Sequence, residues 1–137
     1  MTKKIFITLP VADLAASTAF YRALGFELNA QFRGDDTAAM IWSEAVHVML
    51  ATHAKWHTLT QRPFPPAGSA ALALSLMVDS KDVVDAMNAA ATAHGGQADV
   101  NGVEDLGFMY TRDVADPDGH VWGVFWMDPT AAPPEQP

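Results

Sequence analysis

Cysteine is absent from the 137 residues. No disulfide can staple the chain, no thiolate can hold a metal, and no cysteine can serve as a nucleophile. Positive charge is scarce: eight Lys and Arg stand against sixteen Asp and Glu, a formal net charge of -8. A surface of that sign repels phosphate backbones and anionic lipid, so nucleic acid is not an expected partner. Long apolar runs are missing too, and no segment approaches the roughly 20 residues that span a bilayer. The opening MTKKIFITLP carries charge as a secretory signal does, but its apolar run breaks within a few residues. The expectation is a soluble, cytoplasmic protein with no membrane association. A phosphate-cradling glycine loop and a Gly-x-Ser-x-Gly elbow are also lacking, which disfavours nucleotide hydrolysis and serine-hydrolase chemistry.

What is present is a core: half of the residues are apolar. A chain of this size buries about 68% of its unfolded surface. Residues 4–11 are β-branched and aromatic and read as a strand; Asp13 then offers a cap to a helix carrying Leu14, Ser17, Phe20, Tyr21 and Leu24 on one face, stopped by Gly25. Strand-like runs follow at 27–33, 37–42 and 46–51, with a turn at Gly34, Asp35 and Asp36. The order then repeats. Residues 71–78 are strand-like, Ser80 caps a helix carrying Val83, Val84, Met87 and Ala91, Gly95 and Gly96 end it, and strand-like runs follow at 97–103, 108–114 and 120–127. Asp116-Pro117-Asp118-Gly119 suits a type I turn between the last two strands.

The pattern is βαβββ twice, an α+β chain. The proline-rich stretch Arg62 to Gly68 cannot continue a strand and belongs to a connector. The expected organisation is one domain over residues 1–129, with module one at 3–52, a connector at 53–70 and module two at 71–129. A disordered tail is expected at 130–137, which holds three prolines and no periodicity.

Three motifs stand in a telling order: Leu9-Pro10-Val11-Ala12-Asp13-Leu14, then Phe20-Tyr21-Arg22-Ala23-Leu24-Gly25-Phe26, and finally Asp116-Pro117-Asp118-Gly119-His120. Together they resemble the glyoxalase, bleomycin-resistance and extradiol-dioxygenase superfamily, the vicinal oxygen chelate proteins. Val48-Met49-Leu50, Trp56 and Phe125-Trp126-Met127-Asp128 look like its lactoylglutathione lyase-like subgroup. The resemblance implies two modules whose eight strands form a curved mixed sheet around a cavity, with helices outside. It also implies a homodimer, in which pairing modules across chains covers edge strands.

Catalytic relatives bind a divalent metal through inward positions on the first and last strand of each module. Counting from the motifs, these positions here are Phe6, Met49, Ala73 and Gly123. None has a carboxylate or imidazole, so no metal and no cofactor is expected there. A slip of one residue substitutes Val48 or Leu50 on the fourth strand and Leu72 or Leu74 on the fifth, while a slip of two brings His47 inward. Glyoxalase chemistry needs a metal and a carboxylate, and extradiol cleavage needs two histidines and a carboxylate on iron. What survives is a concave, partly apolar cavity able to hold a small molecule.

By strand parity Thr8, His47, Ser75, Val121 and Phe125 share the face of the vacant positions. Tyr110 and Arg112 share a face with each other and, if it is the inner one, can hold a carboxylate or phenolate. The candidate ligand-binding set is therefore Phe6, Thr8, His47, Met49, Ala73, Ser75, Tyr110, Arg112, Gly123 and Phe125. His47 is the one candidate general base, or else a strand-edge histidine bonded to Glu44 or to backbone. His120 points away by parity. His53 and His57 have i,i+4 spacing without a third ligand, and Glu104 and Asp105 form no acid and base pair. Trp122 and Trp126 fall on the helix side. The expected activity is metal-independent binding of a small aromatic or amphipathic molecule. The alternative is a metal-dependent lyase or dioxygenase using unusual ligands such as His47 with Glu44.

Overall fold

A computed structural model describes residues 2–131 of the chain; most of the expected tail, 132–137, lies outside the described residues. The first unit runs β1 (Ile5–Val11), α1 (Leu14–Leu24), β2 (Glu27–Arg33), β3 (Thr37–Ile41) and β4 (Val46–Thr52). The expected signals act at both ends of α1. The Asp13 side chain accepts from the Ala16 amide, and Gly25 closes the helix at φ 111°, a left-handed conformation that costs glycine little. A helix absent from the sequence reading, α2 (His53–Leu59), follows; Thr52 caps it by accepting from the Lys55 amide.

The second unit runs β5 (Leu74–Met77), α3 (Lys81–Ala93), β6 (Val103–Asp105), β7 (Met109–Arg112), β8 (Val114–Ala115) and β9 (Val121–Met127). Among the described residues strands number nine rather than eight, because the seventh expected run is interrupted at Asp113. Register is kept across the break: Thr111 lies opposite Phe125 and Val114 opposite Trp122. The run expected at 97–103 is mostly loop, since Asp99 at φ 51° and Gly102 at φ 80° break extended backbone. Gln97 alone bridges to Ala115.

Each unit closes its own mixed sheet. The first has the order β1-β4-β3-β2 and the second β5-β9-β7-β6, with β8 also on β9. β1 is parallel to β4 and β5 is parallel to β9, so the two sheets repeat one topology. A single eight-stranded sheet is not formed within one chain, because β1 and β5 are edges of separate sheets among the described residues.

Alternation sorts each strand into a core face and an open face. On the core face Leu9, Val11, Met40, Val48 and Leu50 meet Leu76, Val114, Trp122 and Val124 with Phe20, Tyr21 and Leu24 of α1 and Val84, Met87 and Ala91 of α3, in one cluster. Helices α1 and α3 pack on each other across the module boundary. Burying a side chain of this size contributes on the order of 2 kcal/mol. The closest approach is at Gly96, just past α3, where a Cβ would collide with the Ala115 carbonyl oxygen and lie 2.5 Å from the Phe20 ring. The hydroxyl of Tyr21 joins the modules by donating to Asp116 and accepting from the Trp122 indole.

Candidate functional site

With Leu76, Trp122 and Val124 committed to the core, Ser75, Val121, Gly123 and Phe125 are turned to the opposite face of the second sheet. That face floors a concavity of about 930 Å³. Connector residues Phe64 to Ala70 and the loop residues Val100 and Asn101 form its walls, and Pro10 of module one and His53 at the start of α2 reach its rim. Of the expected ligand-binding residues, Ala73, Ser75, Gly123 and Phe125 are brought together here.

The floor is polar at one point. Asp113 falls opposite Gly123, because the pairs on either side fix the register. Its carbonyl accepts from the Val100 amide and its Oδ2 from the Asn101 side-chain amide at 2.8 Å, while Oδ1 is buried without a partner. Thr111 Oγ1, two residues earlier on the same face, is likewise buried and unpartnered. A Cβ at Gly123 would lie 2.7 Å from Ser75 Oγ and 3.3 Å from Asp113 Oδ1, so bare backbone is what keeps these polar atoms together. Sequence reading missed Asp113 and Thr111. The available signal was antiparallel pairing with the last strand, which puts Thr111 rather than Tyr110 beside Phe125.

Tyr110 and Arg112 require the matching correction: they lie on the helix face, outside the concavity. The Tyr110 hydroxyl donates to Asp85 of α3 at 2.6 Å. Arg112 grips Asp99 with two bonds of 2.8 Å and reaches Asp85 at 2.9 Å. Hydrogen bonds from Tyr110 and then Arg112 hold the Asp85 carboxyl below its ordinary range, and the guanidinium does the same to Asp99. Those bonds in turn raise the pKa of Tyr110 and of Arg112. Asn88, fully buried on α3, completes the clamp by donating to the Arg112 carbonyl and accepting from the Asp99 amide. Both candidate anion holders are thus occupied in fastening α3 to β7.

The other four expected residues occupy the open face of the first sheet, apart from the concavity. Phe6 pairs with His47 and Thr8 with Met49 across β1 and β4. The Phe6 ring stacks on the imidazole with centroids 4.6 Å apart and planes at 15°. His47 Nε2 is 2.9 Å from the Glu44 carbonyl oxygen, which matches the structural alternative expected for this histidine.

Residues 5–124 match the Glyoxalase/Bleomycin resistance protein/Dioxygenase superfamily. The chain belongs to this superfamily. Among solved structures it is similar to a hypothetical protein, SA1046, from S. aureus, with 23% identity over 92% of this chain and 94% of the other and a TM-score of 0.76. A glyoxalase/bleomycin resistance protein/dioxygenase family enzyme from Burkholderia phytofirmans PsJN has 18% identity over 89% and 96%, with a TM-score of 0.75. TnmS3, an antibiotic binding protein from Streptomyces sp. CB03234, has 22% identity over 93% and 97%, with a TM-score of 0.61. At these identities the likeness establishes the fold. Among proteins of curated function, none matches.

Within the glyoxalase superfamily frame, Phe6 and Met49 sit on one open face and Ala73 precedes Ser75 and Gly123 on the other. A benzyl, a thioether, a methyl and a hydrogen do not fit a hard or borderline divalent cation. Among the described residues no three His, Asp or Glu side chains converge as a metal site. The His53 and His57 rings each have centroids 5.1 Å from the Phe64 ring, and the Trp56 ring stacks with it at 6.4 Å. The i,i+4 pair therefore holds the connector against α2. His120 Nε2 is 2.7 Å from the Pro10 carbonyl oxygen and ties the β8-β9 turn to β1. Asp105, on β6 with Glu104, pairs with Lys81 at 3.5 Å. No helix among the described residues is long and apolar enough to cross a membrane.

Proposed function

We propose that this member of the glyoxalase superfamily binds a small aromatic or amphipathic molecule on the open face of its second sheet, without a divalent metal. The observation that carries the reading is one floor: a concavity of about 930 Å³ in which the family's ligand positions are Ala73 and Gly123. That volume lies within the roughly 300–1,000 Å³ of ordinary small-molecule sites. Phe125, Met109 and Phe64 offer apolar surface, and Thr111 and Asp113 offer orientation. The likeness in fold to an antibiotic binding protein supports a binding role.

The working unit is a homodimer. Support comes from apolar side chains left in water on or beside the open faces and sheet edges: Ile5 at 55% exposure, Phe6 at 56%, Leu72 at 69% and Met77 at 63%. Covering them with a second copy would bring the Phe6 and His47 face of one protomer over the concavity of its partner and would pair the free edges of β1 and β5.

The test has two arms. Elemental analysis of protein purified without chelators is expected to find no stoichiometric transition metal, and a panel of aromatic and amphipathic compounds is expected to raise Tm. Stoichiometric metal together with turnover of a hemithioacetal or catechol would overturn the reading. Light scattering of the eluted peak, expected at twice the chain mass, checks the assembly.

A further inference from the structure

We propose that the molecule taken up by this pocket carries a protonated amine, which docks on Asp113 Oδ1 and Thr111 Oγ1 beside Gly123. The inference rests on the reading that the pocket binds a small molecule, and it narrows the chemistry of that molecule. Its ground is an unfilled requirement for hydrogen. Asp113 Oδ1 and Thr111 Oγ1 are both buried in the pocket floor and have no hydrogen-bond partner among the described residues. A buried acceptor left in that state is destabilising, the more so when it is charged.

No side chain among the described residues donates to them. The second oxygen of Asp113 is held by Asn101, which fixes the carboxylate and leaves Oδ1, buried in the pocket floor, unpaired. The guanidinium nearest in sequence, Arg112, is locked to Asp85 and Asp99 on the reverse face. Lys81 lies on that reverse face as well, 5.6 Å from the centroids of the Tyr110 and Trp126 rings. Among the described residues the carboxylates at the concavity come from Asp113 and Asp118, and the lining includes His53 and His120 but no Lys or Arg. Asp118 is already engaged, accepting from the Ala12 amide and the Ser17 hydroxyl.

An alkylammonium presents three donors from one compact charge. In the proposed complex Asp113 Oδ1 accepts one of them and Thr111 Oγ1 another; Ser75 Oγ is a further hydroxyl near Asp113 Oδ1, since a Cβ on Gly123 would lie 2.7 Å from the one and 3.3 Å from the other. A charge-assisted bond of this kind is about twice as strong as a neutral one. An anion would meet the unpaired carboxylate and is excluded. The apolar remainder of the ligand then lies along Phe125 and Met109.

The experiment compares 1-naphthylmethylammonium with its neutral counterpart 1-naphthalenemethanol by calorimetry on the full chain at pH 7. The amine is expected to bind about ten-fold more tightly, a difference of about 1.4 kcal/mol. Asp113→Asn should bring the amine down to the affinity of the alcohol and leave the alcohol unchanged. Thr111→Val, which preserves shape and the Asn101 contact, should reduce the preference by itself, and unfolding midpoints establish that both variants are folded. Equal binding of the two probes to the native protein, or a preference that survives Asp113→Asn, overturns the amine assignment and leaves the pocket reading standing. Failure of both probes to bind at millimolar concentration overturns the pocket reading and the assignment with it.

Discussion

The Tyr21 hydroxyl donates to Asp116 Oδ2 at 2.7 Å, across 95 positions of the chain, and accepts from the Trp122 indole at 2.9 Å. One side chain of α1 thereby joins both halves of the fold. Asp116 uses its other oxygen to receive the amides of Asp118 and His120, which shapes the turn into β9. Burial raises the Asp116 pKa, and burial followed by the Asp116 charge drives the Tyr21 phenol far above its ordinary value.

Tyr21→Phe should therefore destabilise the protein by about 2–4 kcal/mol, because it strands a buried carboxylate oxygen and an indole N–H together. A urea titration reads the loss. The phenol's raised pKa means its contribution is complete below its ordinary value of 10.0 and declines as pH rises beyond it. Wild-type stability should fall more steeply above pH 10 than that of Tyr21→Phe.

Gly96→Ala should cost about 3 kcal/mol, through overpacking rather than lost contacts. The added methyl has the Ala115 carbonyl on one side and the Phe20 ring on the other, both held by the core. A destabilisation under about 1 kcal/mol would mean that α3 does not seat against α1 as closely as described.

The Arg112 clamp predicts an acid limb. Asp85 and Asp99 are held below their ordinary value of 3.8, so their contribution is present above it and lost as pH falls through the lowered values. Asp116 acts in the opposite sense, since its raised pKa means that protonation relieves a burial penalty. Comparing wild type with Arg112→Met isolates the clamp: the variant should be less stable at pH 7, and the gap should narrow below about pH 4. Ligand binding in the pocket should be unaffected, because Arg112 faces α3.

Phe64→Ala should loosen the connector and leave the core intact. The ring is 39% exposed and is held by His53, His57 and Trp56. Protease cleavage within residues 60–70 should accelerate, and the global urea midpoint should correspond to a loss of less than about 1 kcal/mol.

Most of the architecture was legible from residues because local signals agreed with periodicity: Asp13, Gly25 and Ser80 mark helix ends, and alternation sorts Trp122 from Gly123. Helix α2 was not, since its His-rich seven residues bury no side chain and so carry no apolar face to detect. The site was half legible. Ala73, Ser75, Gly123 and Phe125 follow from parity within single strands, whereas Asp113 depends on how β7 pairs with β9, a relation between segments that no single run of residues contains. Tyr110 and Arg112 alternate as expected, and the face they choose is decided by Asp85 and Asp99, 25 and 13 positions away.

Along β9 the indole of Trp122 and the bare backbone of Gly123 are neighbours that look in opposite directions. Losing one residue from the four-residue turn ahead of them would trade their places, driving an aromatic bulk into the ligand's space and leaving a hole among the hydrocarbon side chains. Shape for a guest and cohesion for the host are written in the same row of atoms, and neither can be retuned there by insertion or deletion without spoiling the other.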